Sequence, residues 1–395
     1  MIPLWPPGAL RVFLCGLMLA CSLFVPSRAA AQDPPAPPST PPDAGDQAFA
    51  PWYRELSFNA FLSIAYSYNL NAPASRTNQF RVFDFDDRSF KLDAAELVVQ
   101  KPVTKAGEVG FRVDAMVGAS IPRIAASAGL FRDSTGKAQD YDIHQALVSY
   151  IVPVGRGLRV DAGKFVTHFA YEVIEGYDNY NDNYSRSFLF GYAVPFTHTG
   201  VKASYPFSDR VSGALLVVNG WDNVVDNNAA LSFGAQMTVV VDPRVTIVGN
   251  YMGGPERDGD TQDSRHLYDV CATWKLTDRV TAALNANHGR EANEPFPDGP
   301  AIATWSAVAA YGRYTVTPRF GLVVRAERFA DPQGVRTGVA QRLTGVTLTP
   351  ELKPAPHFVV RADIRMDRSD ASVFETSTGF ARHQTTVAFN TLYFF

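Results

Sequence analysis

Between Thr167 and Phe196 the chain reads THFAYEVIEGYDNYNDNYSRSFLFGYAVPF. Glu172, Glu175, Asp178 and Asp182 crowd its first half, and Arg186 follows. A group of carboxylates placed opposite basic side chains creates a transverse field that acts on passing ions. The basic partners available are Arg112, Arg159, Lys202, Arg325, Arg361 and Arg365, interleaved with Asp114, Asp161, Glu327 and Asp363. Other chemistries fit less well. Asp258-Gly259-Asp260-x-x-Asp263 could offer oxygens to calcium but lacks the full loop pattern and its closing glutamate. Asp84-x-Asp86-Asp87 is weaker still. The seven histidines form no H-x-x-x-H pair and no C-x-x-C accompanies them, so neither a metal nor a cofactor is expected. His144, His198, His266 and His383 lie on or beside predicted strands, but no spacing singles out a serine partner, so no catalytic residues are expected.

What must hold these charges in place is written in a period of two. The chain ends TTVAFNTLYFF, with Val387, Phe389, Thr391, Tyr393 and Phe395 alternating against smaller or more polar residues. A strand so aromatic would be a hazard as a free edge, so it is expected to close on another. Leu56–Asn69 has matching alternation, with Phe58, Ala60, Leu62, Ile64, Tyr66 and Tyr68 on one face. Strands of this kind recur, and sixteen are predicted. They fall near Phe90–Lys101, Glu108–Ala119, Tyr141–Val152, Leu158–Val166, Thr197–Tyr205, Val211–Asn219, Ser232–Val241 and Arg244–Tyr251. Further on come His266–Leu276, Val280–His288, Ile302–Thr315, Arg319–Phe329, Gln341–Leu348, His357–Met366 and Arg382–Phe395. Short turns such as Asp242-Pro243, Thr277-Asp278, Thr317-Pro318 and Pro350 to Pro356 alternate with long polar connections, among them Asn71–Ser89, Ser120–Asp140 and Gly289–Ala301. Almost nothing reads as helix. The pattern predicts an all-β fold: a transmembrane antiparallel up-and-down β-barrel, with short periplasmic turns and long extracellular loops. A secreted β-sandwich is the competing architecture.

The first 31 residues are read as a signal peptide, with Arg11, an apolar run from Val12 to Val25, and Ala29-x-Ala31 as the cleavage site. Lipidation at Cys21 is the weaker alternative. Residues 32–51 are read as a Pro-rich periplasmic tether, and 52–395 as the barrel. Cys15 and Cys21 leave with the leader, so Cys271 has no partner for an internal disulfide. Without Arg11 and Arg28, 34 basic residues stand against 39 acidic ones, a formal charge of −5 that argues against nucleic acid.

If apolar positions face lipid, the charged residues above face inward, where they require water or partner charges. Sixteen strands leave room for a channel. The loop at about 167–196 is expected to fold inward and narrow it, its aromatic tail Phe188–Phe196 packing against the wall.

Several groups of residues together resemble the OmpL-like β-barrel porin family of the Gram-negative outer membrane. They are Gly163-Lys164-Phe165 followed by Glu172, then Asn183-Tyr184-Ser185-Arg186, then Pro195 with His198 and Gly200. Arg325-Ala326-Glu327-Arg328-Phe329-Ala330-Asp331 leading to Gly334, and Arg361-x-Asp363-x-Arg365-x-Asp367-x-Ser369, complete the set. Ala170 stands where the resemblance would place glycine. The resemblance implies an outer-membrane channel for passive diffusion of small hydrophilic solutes. By analogy with sixteen-stranded porins, a homotrimer is possible. Membrane lipid is an expected partner, and the aromatic end at Phe395 resembles the signal read by the outer-membrane assembly machinery. The alternatives are a plugged structural or adhesive barrel, and an outer-membrane hydrolase.

Overall fold

The computed structural model describes residues 52–395. The expected leader, its expected cleavage site and the expected Pro-rich tether lie outside the described residues. Sixteen strands close into one barrel. The first eight are β1 (Ser57–Asn69), β2 (Ser89–Lys101), β3 (Val109–Val117), β4 (Tyr141–Val152), β5 (Leu158–Val166), β6 (Thr197–Pro206), β7 (Val211–Val218) and β8 (Ser232–Asp242). β9 (Val245–Pro255), β10 (Ser264–Lys275), β11 (Val280–Phe296), β12 (Gly299–Thr317), β13 (Phe320–Asp331), β14 (Gln341–Ala355) and β15 (Phe358–Ser369) follow. A two-stranded hairpin, β16 (Phe374–Glu375) with β17 (Phe380–Ala381), interrupts the last long loop before β18 (His383–Phe394).

Every barrel neighbour is antiparallel, and β18 lies between β15 and β1. The seam runs from Phe61 opposite Phe394 to Asn69 opposite Thr386. No edge remains, so every strand can satisfy its backbone groups inside the membrane. The alternation predicts the faces. Phe58, Leu62, Ile64 and Tyr68 of β1 are exposed on the outer wall, while Ser63, Ser67 and Asn69 are buried on the inner one. Such an arrangement inverts a soluble core: apolar groups look outward because the solvent there is lipid.

Three sequence expectations need correction. β11 and β12 continue through the expected loop Gly289–Ala301, with a register shift between Glu291 and Glu294. Above the membrane both faces of a hairpin meet water, so the strand persists after the apolar alternation has stopped. β14 likewise runs through the expected turn at Pro350 to Pro356 and ends only at Ala355. Thr349 and Pro350 drop out of the ladder to β15, so the missing proline N–H costs no hydrogen bond there. Finally, the loop Ser120–Asp140 contains a short helix, Ile121–Ala128. Its Ile121, Ile124 and Ala125 are buried at helical spacing, a signal too brief to stand out in sequence.

Candidate functional site: a loop latched across the lumen

The connection from β5 to β6 does not stay outside. Tyr171 N donates to Asn285 of β11 (3.0 Å), and Phe188 N donates to Glu327 of β13 (2.5 Å). Tyr184 N and Ser185 N reach Asp363 of β15 (3.2 and 2.8 Å), while Tyr177 N reaches Glu96 of β2 (2.9 Å). In the ring of strands, β6 to β12 separate β13 from β5 on one side, and β4 to β1, β18, β15 and β14 on the other. The loop therefore crosses the lumen and docks on the opposite wall.

Its carboxylates make that docking specific. Glu172 pairs with Arg325 at 2.7 Å; Glu175 pairs with Arg361 at 2.7 Å and with Arg186 of the loop itself at 3.2 Å. Asp178 meets Arg112 at 2.6 Å, and Asp182 meets Arg313 of β12 at 2.5 Å. The side chains of Arg325, Arg361 and Arg365 are 0% exposed. Burying a guanidinium is costly unless every edge is occupied. Here Arg325 also donates to the Ser185 carbonyl, Arg361 to the Asn181 carbonyl, and Arg365 to the Arg186 carbonyl and Asp367. Burial alone would raise the Glu175 pKa, but Arg186 and Arg361 outweigh it and hold the carboxyl below the ordinary glutamate value.

The groups of residues that carried the family resemblance meet at this point. Asn183-Tyr184-Ser185-Arg186 forms the turn that Arg325, Asp363 and Arg365 grip, although some 140 to 180 residues separate them in the chain. Gly163 of β5 lies opposite Gly200 of β6, at φ +136°, and a β-carbon there would fall 2.1 Å from the Ala146 carbonyl oxygen. Ala170, standing where glycine was expected, sits at φ +69°. That left-handed conformation costs a side-chain-bearing residue roughly 1–2 kcal/mol. Replacing Ala170 with glycine should therefore stabilise the protein by about 1 kcal/mol. A raised urea midpoint for unfolding from lipid vesicles would show it, and an unchanged or lowered one would refute it.

Behind the charged front, Phe188, Leu189, Phe190 and Phe196 are buried with Phe83, Trp305 and Phe329. Trp305 Nε1 donates to the Ala193 carbonyl (3.2 Å), and Arg186 and Arg365 stack on Phe83 and Phe188 at 4.7 and 4.6 Å.

Not every charge expected on the inner wall engages the loop. Arg159 and Lys202 pair with Asp161 (2.8 and 3.4 Å), and Arg112 also holds Asp114 (2.8 Å). Glu327 bridges Arg325 and Arg365 at 3.3 and 3.1 Å. Two features escaped sequence reading. Arg313, which joins Asp182 to Glu351, lies on a strand so rich in alanine that its inner face could not be told from its outer one. The loop between β1 and β2 also turns inward, burying Asn78, Arg81, Phe83 and Asp84, with Arg81 on Asp367 at 2.5 Å. The available signal was Phe80, Phe83 and Phe85 in an otherwise polar connection. Elsewhere, Asp260 and Asp263, weighed as calcium ligands, are both clamped by Arg257 at 2.6 and 2.5 Å. His198 sits 3.2 Å from the Thr167 hydroxyl and His266 3.0 Å from that of Tyr251, as strand-end histidines do.

The family model described as "Putative beta-barrel porin-2, OmpL-like" matches residues 55–395. No curated protein sequence matches. Among solved structures the chain is similar to the outer-membrane channel DcaP of Acinetobacter baumannii, with 13% identity and a TM-score of 0.59, over 86% of this chain and 97% of that one. It is similar to an anion-selective porin from Comamonas acidovorans, with 8% identity and a TM-score of 0.57, over 86% and 99%. The trimer form of OmpT, an outer-membrane protein of Vibrio cholerae, has 11% identity and a TM-score of 0.55, again over 86% and 99%. At such identities the structures speak for the fold, and the match along 55–395 speaks for the family. The chain belongs to the OmpL-like β-barrel porins, outer-membrane channels built on a closed sixteen-stranded barrel.

Proposed function

We propose that the protein is a passive diffusion channel for small hydrophilic solutes and ions, narrowed by the loop 167–196 and mildly selective for anions. The observation that carries the reading is an asymmetry of exposure among the inward charges. Glu172 and Glu175 are spent on buried arginines and Asp178, though 46% exposed, is held by Arg112, whereas the side chains of Arg159 and Lys202 remain 43% and 27% exposed. Their counter-charge, Asp161, is only 4% exposed, so a permeating ion meets the cations first. Cation-lined pores favour anions because a partly desolvated ion is stabilised by the nearest opposite charge. A trimer, as in the similar OmpT form, is the assembly we expect.

The test is single-channel recording in planar bilayers under a salt gradient. Wild-type protein should pass current with a reversal potential of the sign for chloride preference. Replacing Arg159 and Lys202 together with glutamine should move that potential toward cations without lowering the number of channels inserted. A cation preference in the wild type, or no movement in the variant, would refute the anion reading. A second reading, the plugged barrel, is favoured by the apolar cluster of Phe83, Phe190 and Trp305 inside the lumen. Correctly folded protein that carries no ion current would establish it.

A further inference from the structure

On the outer wall, a cluster of charge interrupts the apolar surface across β13, β14, β15 and β18. Arg328 of β13 lies opposite Thr344 of β14, Thr344 opposite Arg368 of β15, and Arg368 opposite His383 of β18. These register partners form a continuous row on the lipid-facing side, just below the long-loop rim. Arg328, Arg368 and His383 are exposed, and Arg342 and Arg382 stand exposed immediately above. Two strand spacings place the two arginines of the row about 10 Å apart. Among the described residues, no carboxylate pairs with the side chains of Arg328, Arg342, Arg368 or Arg382. The nearby Asp370 instead accepts the backbone N–H of Arg342 (2.8 Å). Unpaired guanidinium groups facing a membrane are expensive unless something anionic meets them.

Directly beneath the row the wall is concave. A groove of about 620 Å³ runs over Val308, Ala310, Ala326, Val346, Met366 and Thr385, small residues leaving space that larger neighbours enclose. A second groove of about 540 Å³ on the far side of the barrel, over Leu215, Met237 and Tyr268, makes a useful contrast, for no arginine or lysine lines it. Apolar concavity alone is thus not special on this barrel. Apolar concavity under a basic row is.

We propose that this face is a binding site for a phosphate-bearing lipid of the outer leaflet, with phosphomonoester groups on Arg328 and Arg368 and an acyl chain in the groove. Guanidinium groups match phosphate oxygens through paired N–H donors, and Thr344 and His383 supply further hydrogen-bonding groups between and beside them. The acyl chain accounts for the groove, and the phosphates account for the charge. Neither feature is used by the channel reading, so the two stand or fall separately.

The test uses full-length protein extracted in detergent, with bound lipid read by native mass spectrometry. Diphosphoryl lipid A should be retained one to one, roughly tenfold above phosphatidylcholine. Retention should fall roughly tenfold in the Arg328→Gln, Arg368→Gln double variant, since each basic residue near a membrane surface contributes measurably to anionic-lipid binding. Ala326→Phe, which fills the groove without changing charge, should lower it as well. Arg279→Gln with Arg319→Gln, on the short-turn rim, should leave it unchanged. Heat-modifiable migration on gels verifies that each variant is folded. Unchanged retention in the Arg328, Arg368 variant would overturn the proposal, as would equal retention of phosphatidylcholine or phosphatidylglycerol. Loss of oligomer with lipid retention intact would overturn it too, assigning the face to a second copy of the chain.

Discussion

Replacing Glu172 and Glu175 together with glutamine should unlatch the loop 167–196 and raise single-channel conductance roughly twofold or more, if the loop narrows the lumen as we propose. The ion pairs at stake are Glu172 with Arg325 and Glu175 with Arg361, all four side chains at most 4% exposed. Removing one partner from a buried pair costs roughly 3–5 kcal/mol, chiefly because the remaining charge stays desolvated and uncompensated. Two such losses on one loop exceed what its apolar tail can hold by itself, so the loop front should detach while Phe188 and Phe190 remain anchored. The measurement separates two roles. If these acids line the water path, their neutralisation shifts reversal potential at constant conductance. If they latch the loop, conductance rises, current becomes noisier, and selectivity changes less. Unchanged conductance together with an unchanged unfolding midpoint would refute the latch. Acid should act in the same direction through Glu175. Its folded pKa is depressed, so the stability it contributes is present above the ordinary glutamate value and is lost as pH falls through the lower folded value. Asp182 titrates in the opposite sense, because burial raises its pKa despite Arg313.

The second large effect lies at the seam. Deleting His383–Phe395 should abolish insertion altogether, because β15 and β1 would each be left with an unpaired edge in lipid. Deleting Phe395 alone is the more discriminating experiment. Its N–H and carbonyl exchange hydrogen bonds with Ala60, both at 3.0 Å, and its side chain is exposed beside the ring of Tyr393. Two backbone hydrogen bonds contribute roughly 1–3 kcal/mol in sum, enough to lower the yield of inserted protein about tenfold. Phe395 lies at the short-turn rim, away from the latch, so channels that do insert should conduct as the wild type does. Reduced conductance at normal yield would refute this division between assembly and transport.

The barrel was legible in the sequence because membrane and lumen impose opposite demands on successive residues. Phe389 and Asn390 need no partner identified to reveal which faces lipid. Strand ends were less legible wherever that contrast vanishes, as where β11 and β12 rise beyond the membrane. Long loops were visible as loops, yet whether one folds in or out depends on partners that sequence order hides. The loop after β1 shows this: Asn78 and Arg81 read as ordinary solvated residues, and the approach of Asp367 and Thr386, together with Asp84 of the same loop, gives Arg81 a buried place.

The candidate site divides along the same line. By itself the sequence determined that Arg325, Arg361 and Arg365 face inward, since parity along a strand fixes a side, and that the chain closes on its own last strand. Only the tertiary structure decided that Glu172 belongs to Arg325, Glu175 to Arg361 and Asp182 to Arg313, and that Glu172 and Glu175 end buried while Arg159 and Lys202 keep contact with water. The physical reason is that alternation is a local property of neighbouring residues. An ion pair across a lumen depends on the ring that places β13 opposite β5, and on the loop long enough to span it.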